Sequence, residues 1–237
     1  MTPSATPPEG TRVLLLGGVE TRFHRFEQVA PPLQALLARA GYSCTSLLAP
    51  DALRGEVLAQ TDVLVSITTG GTLTPREERA LLGAIAEPKN DRRAPVHFLG
   101  IHGASCSFAN SQRYFSMLGG RFTGHPPPAD FTVEVDPTHS VTRGIESFSI
   151  HEEFYLLEMC APARVLLRGS PPGGGSARHP LGWVRQHGQG KVCYLALGHG
   201  PEQLAHPRVQ QYLRQAVGWF LEDAARIEPT APPGQQS

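Results

Sequence analysis

Cysteine is scarce in this chain: Cys44, Cys106, Cys160 and Cys193 stand far apart and form no C-x-x-C pair. No disulfide framework or dithiol redox pair is expected, and the mostly apolar settings read as free thiols in a reducing cytoplasm. Lysine is scarcer still, at Lys89 and Lys191 only, and the 21 basic and 21 acidic residues cancel to a formal net charge of zero. A nucleic-acid or anionic-membrane partner leaves a basic patch in a sequence, and no Lys/Arg run is present, so neither partner is expected. No apolar stretch approaches membrane-spanning length. Residues 1–10 are rich in Pro and Thr without an apolar core, so they read as a tail and not as a signal peptide. Residues 225–237 read as a second tail. The 237 residues between and including them suit one α/β domain over 11–224, and no internal repeat divides it.

What is present is an alternation of short apolar runs and amphipathic stretches. Arg12–Leu16, ended by Gly17-Gly18, reads as a buried first strand, followed by a polar loop with Glu20, Arg22, His24 and Arg25. Pro31-Pro32 are placed to open a helix whose stripe is Leu33, Leu36, Leu37 and Ala40, with Gly41 as its cap. Tyr42–Leu48 is a second strand and Asp51–Leu58 a short helix. Asp62–Ile67 is a third strand, with Thr68-Thr69-Gly70-Gly71 as its exit. Thr74-Pro75-Arg76-Glu77 has the form of a capping box for the next helix. Strands alternating with helices at this spacing imply a mostly parallel sheet with helices on both faces. Open sheets of that kind bind ligands beyond the carboxyl ends of their strands.

The fourth strand, Val96–Ile101, runs into Gly100-Ile101-His102-Gly103-Ala104, with a helix expected over Ser105–Leu118. A strand entering a helix through a small-residue turn lifts the tip residue out of the sheet. Where nucleophile-elbow enzymes carry Ser or Cys, the tip here is His102, suited to holding a metal or moving a proton. Beyond Leu118 the rhythm changes. Gly119–Pro126 reads as an irregular loop, and Phe131–Val135, Arg164–Leu167 and Leu181–Arg185 read as strands. Gly188-Gln189-Gly190 turns into the strand Val192–Leu197, which ends at Gly198-His199. A last amphipathic helix covers about 207–222.

Six segments in order resemble the ThuA-like (trehalose utilisation) family, a branch of the class I glutamine amidotransferase-like superfamily. They are Gly100–Ala104, Tyr114–Pro126, His139–Ile145, Glu152–Tyr155, His179–Trp183 and Gly190–His199, within a stretch of about 12–221. The resemblance implies a flavodoxin-like three-layer α/β/α sandwich. It also implies a broken glutaminase triad. The amidotransferases place Cys where His102 stands, and a Glu two residues after the His matched by His199, where this chain has Pro201. Cys106 lies past the tip and does not restore a thiol, and Gly200 stands where the family often has Asp. Thiol glutaminase activity is therefore not expected.

His102 and His199 are the leading catalytic candidates, together with Glu153. His24, His125, Tyr155 and Trp183 are candidate substrate-binding residues, with Phe23 as a further aromatic face. Glu152 and Glu153 are adjacent, so in an extended segment only one faces the cleft, and the family pattern favours Glu153. No linear motif demands a cofactor, but His24, His102 and His199 suit a divalent metal such as zinc. Metal-free, the same groups suit acid/base work on sugar hydroxyls and carbonyls. His97, His139, His179 and His206 read as structural, and His151 reads either way. Trp183 reads as core more readily than as a sugar platform. The expected protein is a cytoplasmic enzyme of trehalose or keto-sugar metabolism with a small carbohydrate as partner, and a homo-oligomer is compatible with it. A non-catalytic sugar-binding or regulatory module and a metal-dependent amide or ester hydrolase stand as alternatives.

Overall fold

The computed structural model describes residues 10–18, 24–49, 51–88, 94–174 and 177–222. Apart from Gly10, the two expected tails lie outside the described residues, as do Glu20, Arg22 and Phe23. Five strands form a parallel block: β1 (Arg12–Gly17), β2 (Ser43–Leu48), β3 (Val63–Ser66), β4 (His97–Ile101) and β11 (Gly190–Leu195). Four antiparallel strands extend it: β6 (Ala129–Val135), β7 (Phe148–Glu152), β9 (Arg164–Gly169) and β10 (His179–His187). The nine run in the order β2-β1-β3-β4-β11-β10-β9-β6-β7. Every residue of β3 and β4 is buried, as helices on both faces require and as their continuous apolar runs suggest. The mixed α/β fold expected from the alternation is what the chain adopts.

Helices α1 (Phe26–Arg39), α2 (Gly55–Leu58), α3 (Pro75–Ala86), α4 (Gln112–Leu118), α5 (Pro201–Ala205) and α6 (Pro207–Phe220) pack around this sheet. The capping box at α3 forms in full: Thr74 Oγ1 accepts from Glu77 N at 3.2 Å, and Glu77 Oε2 accepts from Thr74 N at 2.7 Å. Gly41, at φ +88°, follows the end of α1, and the Tyr42 N–H returns to Leu37 O at 3.2 Å.

Three local expectations are corrected. First, α1 starts at Phe26, so Pro31 and Pro32 lie inside it and not at its first turn. The Phe26 ring seats on the bare backbone of Gly17, where any side chain would collide with it, and this contact starts the helix early. Second, the helix expected over Ser105–Leu118 is a 3₁₀ turn (His102–Cys106), an irregular step, then α4. Gly70 competes for the backbone there: its N–H donates to Cys106 O at 3.3 Å and its carbonyl accepts from Phe108 N at 3.0 Å. Phe108 is thrown to φ +54°, and Ser111 then caps α4 by accepting from Tyr114 N at 3.0 Å. Third, the supposed loop after Leu118 contains β5 (Gly120–Gly124), which pairs antiparallel with β8 (Leu156–Met159). A partner more than thirty residues away leaves no local trace.

Candidate active site

The parallel strands β1, β3, β4 and β11 release their chains at one edge, and each exit supplies a part of the site. After β4 comes the tight turn, with His102 at φ +45°, a left-handed conformation that costs a non-glycine residue about 1–2 kcal/mol. Surrounding contacts hold it there. The His102 carbonyl accepts from Tyr194 Oη at 2.9 Å and from Ser105 Oγ at 3.2 Å, and those two hydroxyls are 2.7 Å apart. Gly103 has to be glycine, because a Cβ there would lie 2.8 Å from Thr68 O and press on the Thr69 hydroxyl.

The His102 ring is fixed as firmly as its backbone. Its Nδ1 lies 2.7 Å from Ala196 O, just after β11, and a carbonyl can only accept. The hydrogen of the neutral ring therefore sits on Nδ1, and Nε2 points inward with a bare lone pair. Tyr155 lies against the ring with centroids 4.0 Å apart. His24, after β1, is buried and places Nδ1 2.5 Å from Thr69 Oγ1, at the exit of β3. His199, after β11, puts Nδ1 3.2 Å from His24 Nε2 and 3.3 Å from His102 Nε2.

Glu153 completes the set: Oε2 is 3.3 Å from His102 Nε2 and 3.2 Å from His199 Nδ1. His24 Nε2, His102 Nε2, His199 Nδ1 and Glu153 Oε2 thus point at one another from four segments. One ligand atom from each of these residues can be chosen so that all four lie within 4.8 Å of one another. His125 sits at the rim, with Nε2 3.8 Å from Glu153 Oε1 and Nδ1 2.8 Å from Pro126 O.

Electrostatics follow from this crowding. Burial, reinforced by the neighbouring His102 and His199, drives the His24 imidazole down to about 3. Burial works to raise the Glu153 carboxyl, but hydrogen bonds and positive charge from His102 and His199 outweigh it and hold it below the usual range. The hydrogen bond to Glu153 raises His199 against its own burial. Burial pushes the Cys106 thiol up to about 11, so the cysteine nearest the elbow stays protonated at neutral pH.

The structure brings His24, His102, His199 and Glu153 together, with His125 at the rim. It does not bring Trp183 to the cleft. That side chain is fully buried in β10, its Nε1 donates to Leu118 O at 2.8 Å, and Gly120 has no Cβ so that the indole fits. Tyr155, 2% exposed, backs His102 and offers no open face to a ligand. His97, His139 and His206 are structural. The Nδ1 atoms of His139 and His206 accept the Val141 and Arg208 N–H groups in the first turn of a helix, and His97 stacks on Phe220.

The sequence reading set Glu152 aside in favour of Glu153. This carboxylate is 2% exposed and accepts from Glu153 N at 2.8 Å, Gly198 N at 2.9 Å and His199 N at 3.2 Å. The strict alternation that set Glu152 against Glu153 fails because β7 ends at Glu152, so both can turn toward the site.

A mixed α/β sheet whose elbow tip and last parallel-strand exit converge on one cleft places the chain among flavodoxin-like α/β proteins. The ThuA family model, described as trehalose utilisation, matches residues 12–220, and the chain belongs to that family. A ThuA-like protein from Parabacteroides merdae superposes with a TM-score of 0.76 at 15% identity, covering 94% of this chain and 93% of its own. A second, from Bacteroides uniformis, gives 0.74 at 20% identity, covering 93% and 95%. A cytoplasmic protein from Salmonella typhimurium gives 0.61 at 17% identity, covering 89% and 97%. At these identities the likeness is one of fold. No curated protein matches the sequence significantly. Among the described residues, no helix is long and apolar enough to cross a membrane.

Proposed function

We propose that this chain is a cytoplasmic enzyme of carbohydrate metabolism that acts on trehalose or a keto sugar by hydrolysis or isomerisation. The observation that carries the enzymatic reading is the His102 turn. A strained, fully buried elbow is held by Tyr194, Ser105 and Ala196 so that one bare imidazole nitrogen faces His199 and Glu153. A nitrogen so directed beside a second imidazole and a carboxylate is suited to proton transfer or metal binding. His102, His199 and Glu153 are the groups that act at the substrate's hydroxyl or carbonyl oxygen, by moving protons or by holding a metal ion, and His125 closes the rim. The sugar class is supported by the family description, and the cytoplasmic location by the Salmonella relative's own description.

Purified full-length protein incubated with trehalose and with keto-disaccharides, followed by NMR of the sugar, tests this. Wild type is expected to turn over at least one of them, and folded His102→Ala is expected to lose that turnover. Tight sugar binding in calorimetry with no product would overturn the enzymatic reading in favour of a binding module. An active His102→Ala would remove the elbow from the chemistry.

A further inference from the structure

We infer that His24 Nε2, His102 Nε2, His199 Nδ1 and Glu153 Oε2 form a binding site for one divalent transition-metal ion of zinc type. The inference deepens the functional reading above and rests on it only for what the ion acts upon. Four separations among these atoms are 3.2, 3.3, 3.3 and 3.2 Å. A tetrahedral ion with bonds of about 2.0–2.1 Å requires its ligand atoms to be about 3.3–3.4 Å apart. Four of the six edges therefore nearly match a tetrahedron around a central ion, and one ligand atom from each residue can be chosen so that all lie within 4.8 Å of one another.

In the neutral His102 ring Nε2 is bare, because the single ring hydrogen is committed to Ala196 O. That nitrogen then lies 3.3 Å from Glu153 Oε2, lone pair against lone pair, and only a second ring proton or a metal ion relieves the contact. His199 Nδ1 carries at most one hydrogen and faces both of these acceptors, as well as His24 Nε2. One proton on Nδ1 satisfies one of the two acceptors and leaves the other without a donor. A cation satisfies all four atoms at once.

The surroundings fit the same ion. Metal-ligating histidines usually have their second nitrogen tied to a carbonyl, carboxylate or similar partner. His102 is tied to Ala196 O and His24 to Thr69 Oγ1. The carboxylates of Glu153 and Glu152 would together balance a 2+ charge. Glu152 also ties the backbones of two ligands, Glu153 and His199, to each other. Three nitrogens and one oxygen are a borderline-soft set, which suits Zn²⁺ and its late first-row neighbours and suits Mg²⁺ or Ca²⁺ poorly. Exposure is graded across the ligands. His24 and His102 are buried, whereas 37% of the His199 side chain is exposed, so a sugar would approach from the His199 side. When bound, such an ion polarises a carbonyl oxygen or acidifies a water molecule.

The test uses full-length protein stripped with a chelator and titrated with Co²⁺, then with Zn²⁺ in competition. Wild type is expected to bind one Co²⁺ with visible d–d absorption of low-coordinate intensity, and Zn²⁺ is expected to displace it. His199→Ala removes the most exposed ligand and threatens the fold least. It is expected to weaken binding by at least about 100-fold, the upper end of what even an outlying partner costs. His151→Ala, at an exposed histidine paired with Asp130, is expected to bind as wild type does. No stoichiometric uptake by wild type, or unchanged affinity in folded His199→Ala, would overturn the metal site. Turnover of sugar by metal-free protein would also overturn it as a working centre while leaving the enzymatic reading standing. Tight metal binding with no turnover of any sugar would do the reverse.

Discussion

Glu152→Ala is the sharpest test of how the site is held, because its cost can be worked out donor by donor. The carboxylate accepts three backbone N–H groups, from Glu153, Gly198 and His199. A buried donor left without a partner costs about 1–3 kcal/mol. The contact to Gly198 is fully buried, so about 2 kcal/mol is assigned to it, and about 1 kcal/mol to each of the two partly buried ones. The sum, about 4 kcal/mol, is a large share of a typical folding free energy of about 5–15 kcal/mol. For a chain of this size that is a fall in melting temperature of about 8–16 °C. Glu152→Gln keeps one acceptor oxygen but turns an amide NH₂ toward another N–H, so about half the loss is expected. Urea unfolding of chelator-treated protein measures both without any contribution from bound ions. A loss below about 1 kcal/mol in Glu152→Ala would show that water replaces the carboxylate, and would refute the claim that Glu152 holds the β11 exit.

Acid should destabilise the metal-free protein through His24. Its folded value of about 3 lies below the unfolded 6.5, so its contribution is present above pH 6.5 and lost as pH falls toward 3. At about 1.4 kcal/mol per pH unit, its share of the loss between pH 7 and pH 5 is about 2 kcal/mol. His199, with its raised value, works the other way: its contribution is present below pH 6.5 and lost as pH rises through its folded value. Chemical denaturation across this range should show a shallower acid slope in His24→Asn than in wild type, and equal slopes would contradict the buried neutral imidazole. Trp183→Phe removes the donor to Leu118 O and should cost about 1–2 kcal/mol in the same assay. Its sugar turnover, measured well below its melting temperature, should match wild type, and a selective loss of substrate affinity would restore Trp183 to the site.

The parallel block was legible because each of its strands except the edge strand β2 is a short, mainly apolar run closed by glycine or polar residues. Arg12–Gly17, Val63–Ser66 and His97–Ile101 need no distant partner to be recognised. The β5–β8 pair was not legible, since Gly120–Gly124 has no alternation and gains its strand character only from Leu156–Met159. The early start of α1 escaped for a related reason. Propensity places prolines at a first turn, but the fit of Phe26 over Gly17 is a tertiary contact that overrides it.

In the site, the sequence exposed the residues whose position is set by strand exits and left hidden those set by hydrogen bonds to backbone. His102 and His199 followed from the ends of β4 and β11. Glu152, Ala196 O and the Tyr194–Ser105 pair did not, because a carbonyl or a buried hydroxyl carries no signature of what it orients. Yet these unread groups decide what the elbow can do. A thiol at the tip of such a turn needs little more than exposure and a nearby base. An imidazole there needs its tautomer fixed, and the bond from Nδ1 to Ala196 O does that. The same bond turns Nε2 toward His199 and Glu153. The change from Cys to His at the tip is therefore one part of a larger change. Thr69 anchors His24, Glu152 ties His199 to Glu153, and Ala196 aims His102, so three separate anchors hold one convergent set of nitrogen and oxygen atoms.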